Sequence, residues 1–468
     1  MKESHHNRKE KQEIIQSFED CLAKDQHPLL SFESYQILME FYMEKGNDQM
    51  LKAILDLLST QFPFSEEAKL AKVELLAFML QYDDALDLLE ETLSISPTNA
   101  DALIQKGEIL IVQEKYEQAQ ACLELALTFH HEPAEIWYNL GLIAQAQENH
   151  QEAINRFNQA LETDPKLDGA WLDLGYNLEM VDRPEDAKKC YEHFLNLDPF
   201  SSTAWFNLGV VCCRLEDMER AIEAYDFART LEEDFASAHF NLGNVYMNVE
   251  QFDKAAQCYQ TVLDLEGSSG ETFCYLGAAL EHQGLTQKAV KKYKAAVDFD
   301  KEYDDAWFGL ASCAIKMKKP AEAKHFVGKA LDLTQDKPVY WLIAAEAERL
   351  LGNVEAAEKC FRSAKTYGGI TEELYIHWSM MYYQCNDLQQ AYNKISEGLV
   401  DLKDNAKLNF IAAAYLLLNH HYEQAIEYLK TGLELDQGKF DSLLDFFPSR
   451  KTQKALFEFI NQYRKDHI

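Results

Sequence analysis

Seven carboxylates near the start of the chain recur at a fixed interval. Glu33, Glu67, Asp101 and Glu135 are each 34 residues apart, and so are Glu40, Glu74 and Glu108. The second series follows the first by seven residues. Seven residues are two helical turns, so on helices the two series share a face. Stacked side by side, such helices would carry a double row of negative charge that recruits a cationic partner segment. The helix macrodipole offers another account of the first series, because acids are favoured near a helix N-terminus. It does not extend to the second. A further series, Asn139, Asp173, Asn207 and Asn241, keeps the same interval. An amide has two donors and an acceptor, so a row of Asn can hold an extended peptide backbone without reading its side chains.

Catalytic constellations are missing from the sequence. There is no GxxxxGK[ST] loop, no HExxH, no GxSxG and no paired CxxC. His130-His131 and His420-His421 are adjacent pairs, and neighbours on a helix do not share a face. Cys212-Cys213 fails as a ligand pair for the same reason. The expectation is a non-enzymatic chain with no cofactor and no metal.

The residues that must position these rows follow the same period. WYNLG at Trp137, WLDLG at Trp171, WFNLG at Trp205 and HFNLG at His239 are each 34 residues apart. With the Trp as position 4, repeats start at residue 32 and every 34 residues up to 406, and the last ends at Lys439. Position 20 is Leu51 and then Ala in every later repeat, from Ala85 to Ala425. Position 8 is Gly107, Gly141, Gly175, Gly209, Gly243 and Gly277 before it turns to Ala and Ser. A helical Gly costs roughly 1 kcal/mol against Ala, so a row of them implies close approach of neighbouring helices. A fixed period of this length means stacked supersecondary units rather than one globular core.

The pattern W-x2-L-G, then A-x3-[F/Y], then Pro resembles the tetratricopeptide repeat. Trp137, Leu140, Gly141, Ala153, Phe157, Ala160 and Pro165 carry it in one unit; Trp171, Leu174, Gly175, Ala187, Tyr191 and Pro199 carry it in the next. It spans residues 32–439 and thins at both ends, where Trp378 falls at position 7 and Asn409 at position 4. The resemblance implies an all-α fold, a right-handed α-α superhelical solenoid of helix-turn-helix repeats. Residues 1–31 then form an N-terminal capping segment, 32–439 twelve contiguous units, and 440–468 a C-terminal capping helix. Within a unit the helices are expected at about positions 2–14 and 18–31. The segment Lys451–Lys465 has an amphipathic pattern that fits either a solvating cap or a docking helix.

The resemblance also implies a concave groove lined by positions 2, 5, 6, 9, 12 and 13 of the first helices. Carried onto this chain, position 5 supplies Tyr138, Leu172, Phe206, Phe240 and Phe308, and position 6 supplies Asn139, Asp173, Asn207 and Asn241. One reading makes the aromatics pockets and the amides backbone holders for a bound peptide. The other makes the aromatics packing residues and has the amides capping or contacting adjacent helices. The seven periodic carboxylates fall on positions 2 and 9, so the first four units would present an acidic groove. That disfavours the clamp that grips a chaperone's C-terminal carboxylates, which needs Lys and Arg there.

Composition narrows the partner. The chain has 468 residues, a formal net charge of −33 and 47% hydrophobic residues. Such a charge repels phosphate backbones, so neither nucleic acid nor an anionic membrane is an expected partner. No apolar run approaches the roughly 20 residues that span a bilayer. The start, MKESHHNRKEKQ, lacks an apolar stretch, so a secretory signal is not expected. The ten cysteines are not spaced as a disulfide framework, which points to a reducing cytoplasm. The function expected is a scaffold or adaptor that binds a protein or peptide with a basic or apolar segment in the groove. The alternative is a regulatory or targeting subunit that docks an enzyme through the convex face or the C-terminal helix.

Overall fold

The computed structural model of the chain describes residues 2–23, 28–130 and 133–436. Among the described residues every regular element is an α-helix, and none is long and apolar enough to cross a membrane. The chain forms two compact units, Met1–Glu233 and Asp234–Ile468.

In the first unit α1 (Lys2–Ala23) precedes six helix pairs: α2 (Phe32–Glu44) with α3 (Asp48–Gln61), α4 (Glu66–Phe78) with α5 (Tyr82–Ile95), α6 (Ala100–Val112) with α7 (Tyr116–Leu127), α8 (Ala134–Ala146) with α9 (His150–Thr163), α10 (Asp168–Met180) with α11 (Pro184–Leu197), and α12 (Ser202–Arg214) with α13 (Met218–Leu231). The second unit holds six more: α14 (Ala236–Asn248) with α15 (Phe252–Glu266), α16 (Gly270–His282) with α17 (Thr286–Phe299), α18 (Asp304–Lys316) with α19 (Pro320–Leu333), α20 (Pro338–Leu350) with α21 (Val354–Thr366), α22 (Glu372–Gln384) with α23 (Leu388–Asp401), and α24 (Ala406–Leu418) with α25 (Tyr422–Leu435). Within each unit every helix packs on its neighbours in sequence. This is the helix-turn-helix solenoid that the 34-residue period implies.

Three devices set this register. The first is steric. The position-20 alanines from Ala85 to Ala425 are all 0% exposed, as is Leu51 at the same position of the first pair. At position 8, a ring or branched side chain from position 24 of the same pair lies where a Cβ would stand. A Cβ on Gly141 would be 2.5 Å from Phe157, and one on Gly209 would be 2.6 Å from Tyr225. The close approach is therefore between the two helices of one pair.

The second device is the turn. Position 15 is left-handed throughout, at Gly46, Gly284 and Gly352 and at Leu80, Glu114, Glu148, Asp182, Glu216, Glu250, Lys318, Asn386 and His420. After α4, the Gln81 N–H donates to Leu76 O at 2.8 Å and the Leu80 N–H to Ala77 O at 2.9 Å. This double bond satisfies carbonyls that the helix end leaves open.

The third ties one pair to the next. The indole N–H groups of Trp171 and Trp205 donate to Pro165 O and Pro199 O, each at 2.9 Å. Trp307 and Trp341 repeat the contact at Lys301 O and Gln335 O. Trp378, three positions later in its repeat, instead lies in the core against Phe361, with ring centroids 5.6 Å apart.

At the start, Phe18 of α1 is fully buried with Tyr35, Leu38 and Tyr42, and the Tyr42 hydroxyl donates to Glu19 Oε1 at 3.0 Å. The C-terminal helix expected over 440–468, including Lys451–Lys465, lies outside the described residues.

Candidate functional site

The periodic acids occupy matching turns of α2, α4, α6 and α8, and all seven are exposed. Glu33, Glu67 and Glu74 border one open cavity of about 710 Å³, together with Gln36, Leu70 and Gln105. A second cavity, of about 230 Å³, joins Glu74 to Glu108 beside Tyr82 and Ile109. Glu74 therefore borders both cavities, with Glu33 of the preceding first helix on one and Glu108 of the next on the other.

Their charges act on one another. The helices flanking Glu74 displace water and raise its carboxyl pKa, and the Glu40 charge raises it further. Burial likewise raises Glu108; a hydrogen bond from Asn139 opposes that, while the charges of Glu135 and Glu74 add to it. Burial is the larger cause in both, and the neighbouring acids of the row add to it. Two acids have cationic or titratable neighbours: Lys11 Nζ lies 3.2 Å from Glu40 Oε2, and His130 Nε2 lies 3.6 Å from Asp101 Oδ1. Such exposed pairs are worth little individually. Gln105 donates weakly to Leu70 O at 3.5 Å, and its Oε1 is buried without a partner among the described residues. A buried acceptor left open is uncommon in folded proteins, and this one borders both acidic cavities.

The position-5 and position-6 residues divide by environment. In the first unit the Tyr138 hydroxyl donates to Asp173 Oδ2 at 2.9 Å. Burial is the main cause that raises both pKa values. Asn139 is buried and donates to Glu108 Oε1 at 3.1 Å, which is a contact between adjacent first helices. Leu172 is half-buried, and Phe206 packs on Tyr225 with centroids 5.7 Å apart. In the second unit Phe240 packs edge-on against Tyr259 and Tyr275, and Phe308 stacks on Tyr340 at 4.9 Å. The aromatics thus contribute one edge to the core and keep the other in solvent. The amides of Asn207 and Asn241 are half-buried.

Burial pushes the thiols of Cys190 and Cys274 up to about 12, which removes them as nucleophiles. Gln36 and Gln105 line the first acidic cavity beside the predicted acids. Both fall on lining positions, 5 and 6, so the repeat register carries their signal.

Family profiles for the tetratricopeptide repeat match residues 81–143 and 280–348, 134–167, 172–234 and 236–269. No curated protein matches the chain. Among solved structures, MamA protein shares 26% identity over 37% of this chain and 94% of its own, with a TM-score of 0.36. YrrB, described as a TPR protein with an unusual peptide-binding site, shares 22% over 41% of this chain and 97% of its own, with a TM-score of 0.37. The Cut9-Hcn1 hetero-tetramer of the APC/C shares 12% over 92% of this chain and 96% of its own, with a TM-score of 0.43.

Proposed function

The chain belongs to the tetratricopeptide repeat family, and from that premise we propose that it is a non-enzymatic scaffold that holds a basic or apolar partner segment in the groove of its first helices. The observation that carries this reading is the cavity shared by Glu33, Glu67 and Glu74. Three carboxylates around one space gain from a cation between them, since an opposite charge favours the ionised form. The open Oε1 of Gln105 offers the same ligand a neutral acceptor. A Lys or Arg side chain supplies both needs. In each unit apolar residues of a bound segment would meet solvent edges, those of Tyr138, Leu172 and Phe206 in the first and of Phe240 and Phe308 in the second, and the amides of Asn207 and Asn241, one in each unit, would take its backbone. The same proposal includes capping segments at 1–31 and 440–468 around twelve units at 32–439, and a cytoplasmic location with neither nucleic acid nor membrane as partner.

The test is quantitative affinity capture with the full chain and two folded variants. One is Glu67→Gln with Glu74→Gln; the other is Asn207→Ala with Phe240→Ala and Asn241→Ala. A partner lost from both, and held less tightly as salt rises, supports the groove. Capture unchanged in both variants refutes it.

A further inference from the structure

Helix α17 departs from the rest of this acidic chain. Its sequence TQKAVKKYKAAVDF has four lysines and one acid, with no acid in its first turn. The preceding and following second helices, α15 and α19, place Asp253 and Glu322 there, as the macrodipole favours.

Three of these lysines, Lys288, Lys291 and Lys292, line a cavity of about 640 Å³ bounded by α15, α16 and α17, with Leu276, Leu280 and Leu285 as its apolar surface. Asp253 also borders it, so the lining carries a net positive charge inside a chain of −33. Lys292 is held in place: Nζ donates to Gln260 Oε1 at 3.1 Å and lies 5.5 Å from the Phe273 ring centroid. Lys288 and Lys291 are exposed. Neither ammonium group makes an ion pair or a hydrogen bond among the described residues.

The cavity is distinct from the candidate groove. Leu276 and Leu280 of α16, with Gln283 at its C-cap, are spaced i, i+4, i+7 and form the stripe that faces it. The lining positions 2, 6 and 13 of the same helix are Glu271, Tyr275 and His282, which are exposed on another face.

We propose that this cavity is a second docking site, for an acidic polypeptide segment in which aliphatic side chains lie between carboxylates. Leu276 is already buried, but the half-buried Leu280 and the exposed Leu285 need apolar cover, which an inorganic anion does not supply. The free ammonium groups need carboxylates within hydrogen-bond reach. A nucleic-acid backbone is the poorer fit, because it brings a continuous run of phosphates towards a strongly negative chain. A short peptide needs only the local field, and screening over about 8 Å at physiological ionic strength confines the repulsion from distant acids.

The test is fluorescence anisotropy on the full chain with a labelled peptide of leucines flanked by glutamates. Controls are the same peptide with glutamine for glutamate and a labelled oligo-dT. The expected result is binding of the acidic peptide that weakens roughly tenfold or more in Lys288→Glu with Lys291→Glu. Glu67→Gln with Glu74→Gln should leave it unchanged, which separates this site from the groove. Both lysines are exposed, so helicity should be preserved. The proposal is overturned by any of three results: no binding at millimolar protein, binding indifferent to the lysine reversals, or oligo-dT bound as well as the acidic peptide.

Discussion

The same substitution, Gly to Ala, should have opposite effects at two helical positions in the second unit. At Gly277 an added Cβ would lie 2.8 Å from both Cδ1 and Cε1 of Tyr293. Carbon atoms at rest sit about 3.5–4.0 Å apart, so the ring must retreat by nearly 1 Å. It has nowhere to go. On its other side a Cβ at Gly309 would be only 2.3 Å away. Its hydroxyl donates to Glu281 Oε2 at 2.9 Å, and the residue is 3% exposed. Overpacking of this kind costs about 1–3 kcal/mol, while Ala returns about 1 kcal/mol of helix propensity. The net expectation for Gly277→Ala is a loss of up to about 2 kcal/mol. Gly328, in α19, has nothing within 4 Å of its ideal Cβ, so Gly328→Ala should keep the whole gain of about 1 kcal/mol. Cooperativity can break down in repeat arrays, so the assay is hydrogen exchange followed by mass spectrometry across α16–α19. Amides of α16 and α17 should exchange up to about 30-fold faster in Gly277→Ala, and those of α19 about fivefold slower in Gly328→Ala. Equal stabilisation by both substitutions would refute the argument that Tyr293 fills the space over Gly277.

The remaining predictions concern charge and turn geometry. Burial and neighbouring acids raise the carboxyl pKa values of Glu74 and Glu108, so the folded state binds protons there more readily than the unfolded chain. These two acids therefore oppose folding at neutral pH, and the cost is relieved as pH falls through the raised values. Glu74→Gln with Glu108→Gln should raise stability at pH 7, with a margin that shrinks in acid, as read by thermal melts. Glu346 is the opposite case: burial pushes its carboxyl up, but hydrogen bonds from Arg349 and His377 hold it at about 2. That displacement contributes about 3 kcal/mol above the ordinary carboxylate range and is lost as pH falls towards 2. Glu346→Gln should lower stability by up to that amount at pH 7 and converge with wild type in acid. Glu148 is exposed with φ of 58°, so Glu148→Gly should stabilise the first unit by up to about 1 kcal/mol in urea titrations.

Much of the fold was legible because helix geometry is local. A 34-residue interval places Ala153, Ala187 and Ala221 at the same turn of successive second helices without any knowledge of packing. The same reasoning put Glu67 and Glu74 on one face of a helix and Glu33 at the matching place on the helix before, and all three border one cavity. Other features had no sequence signature. Glu148, Glu216 and Lys318 are not types that mark a left-handed turn, yet all three adopt one, because the carbonyls of the preceding helix end need those N–H groups.

Asn139 and Asn207 hold the same position, but only the tertiary structure decides that Asn139 is buried and spent on Glu108 while Asn207 stays half-buried. Four lysines could be counted in α17; that Leu276 and Leu280 of another helix lie beneath three of them could not. The division has one physical cause. Sequence periodicity determines which side chains share a face, since that depends only on the turn of a single helix. Distances between helices depend on the combined volumes of side chains from several segments, and those distances decide which groups on a face are spent on the protein itself and which remain open to a partner.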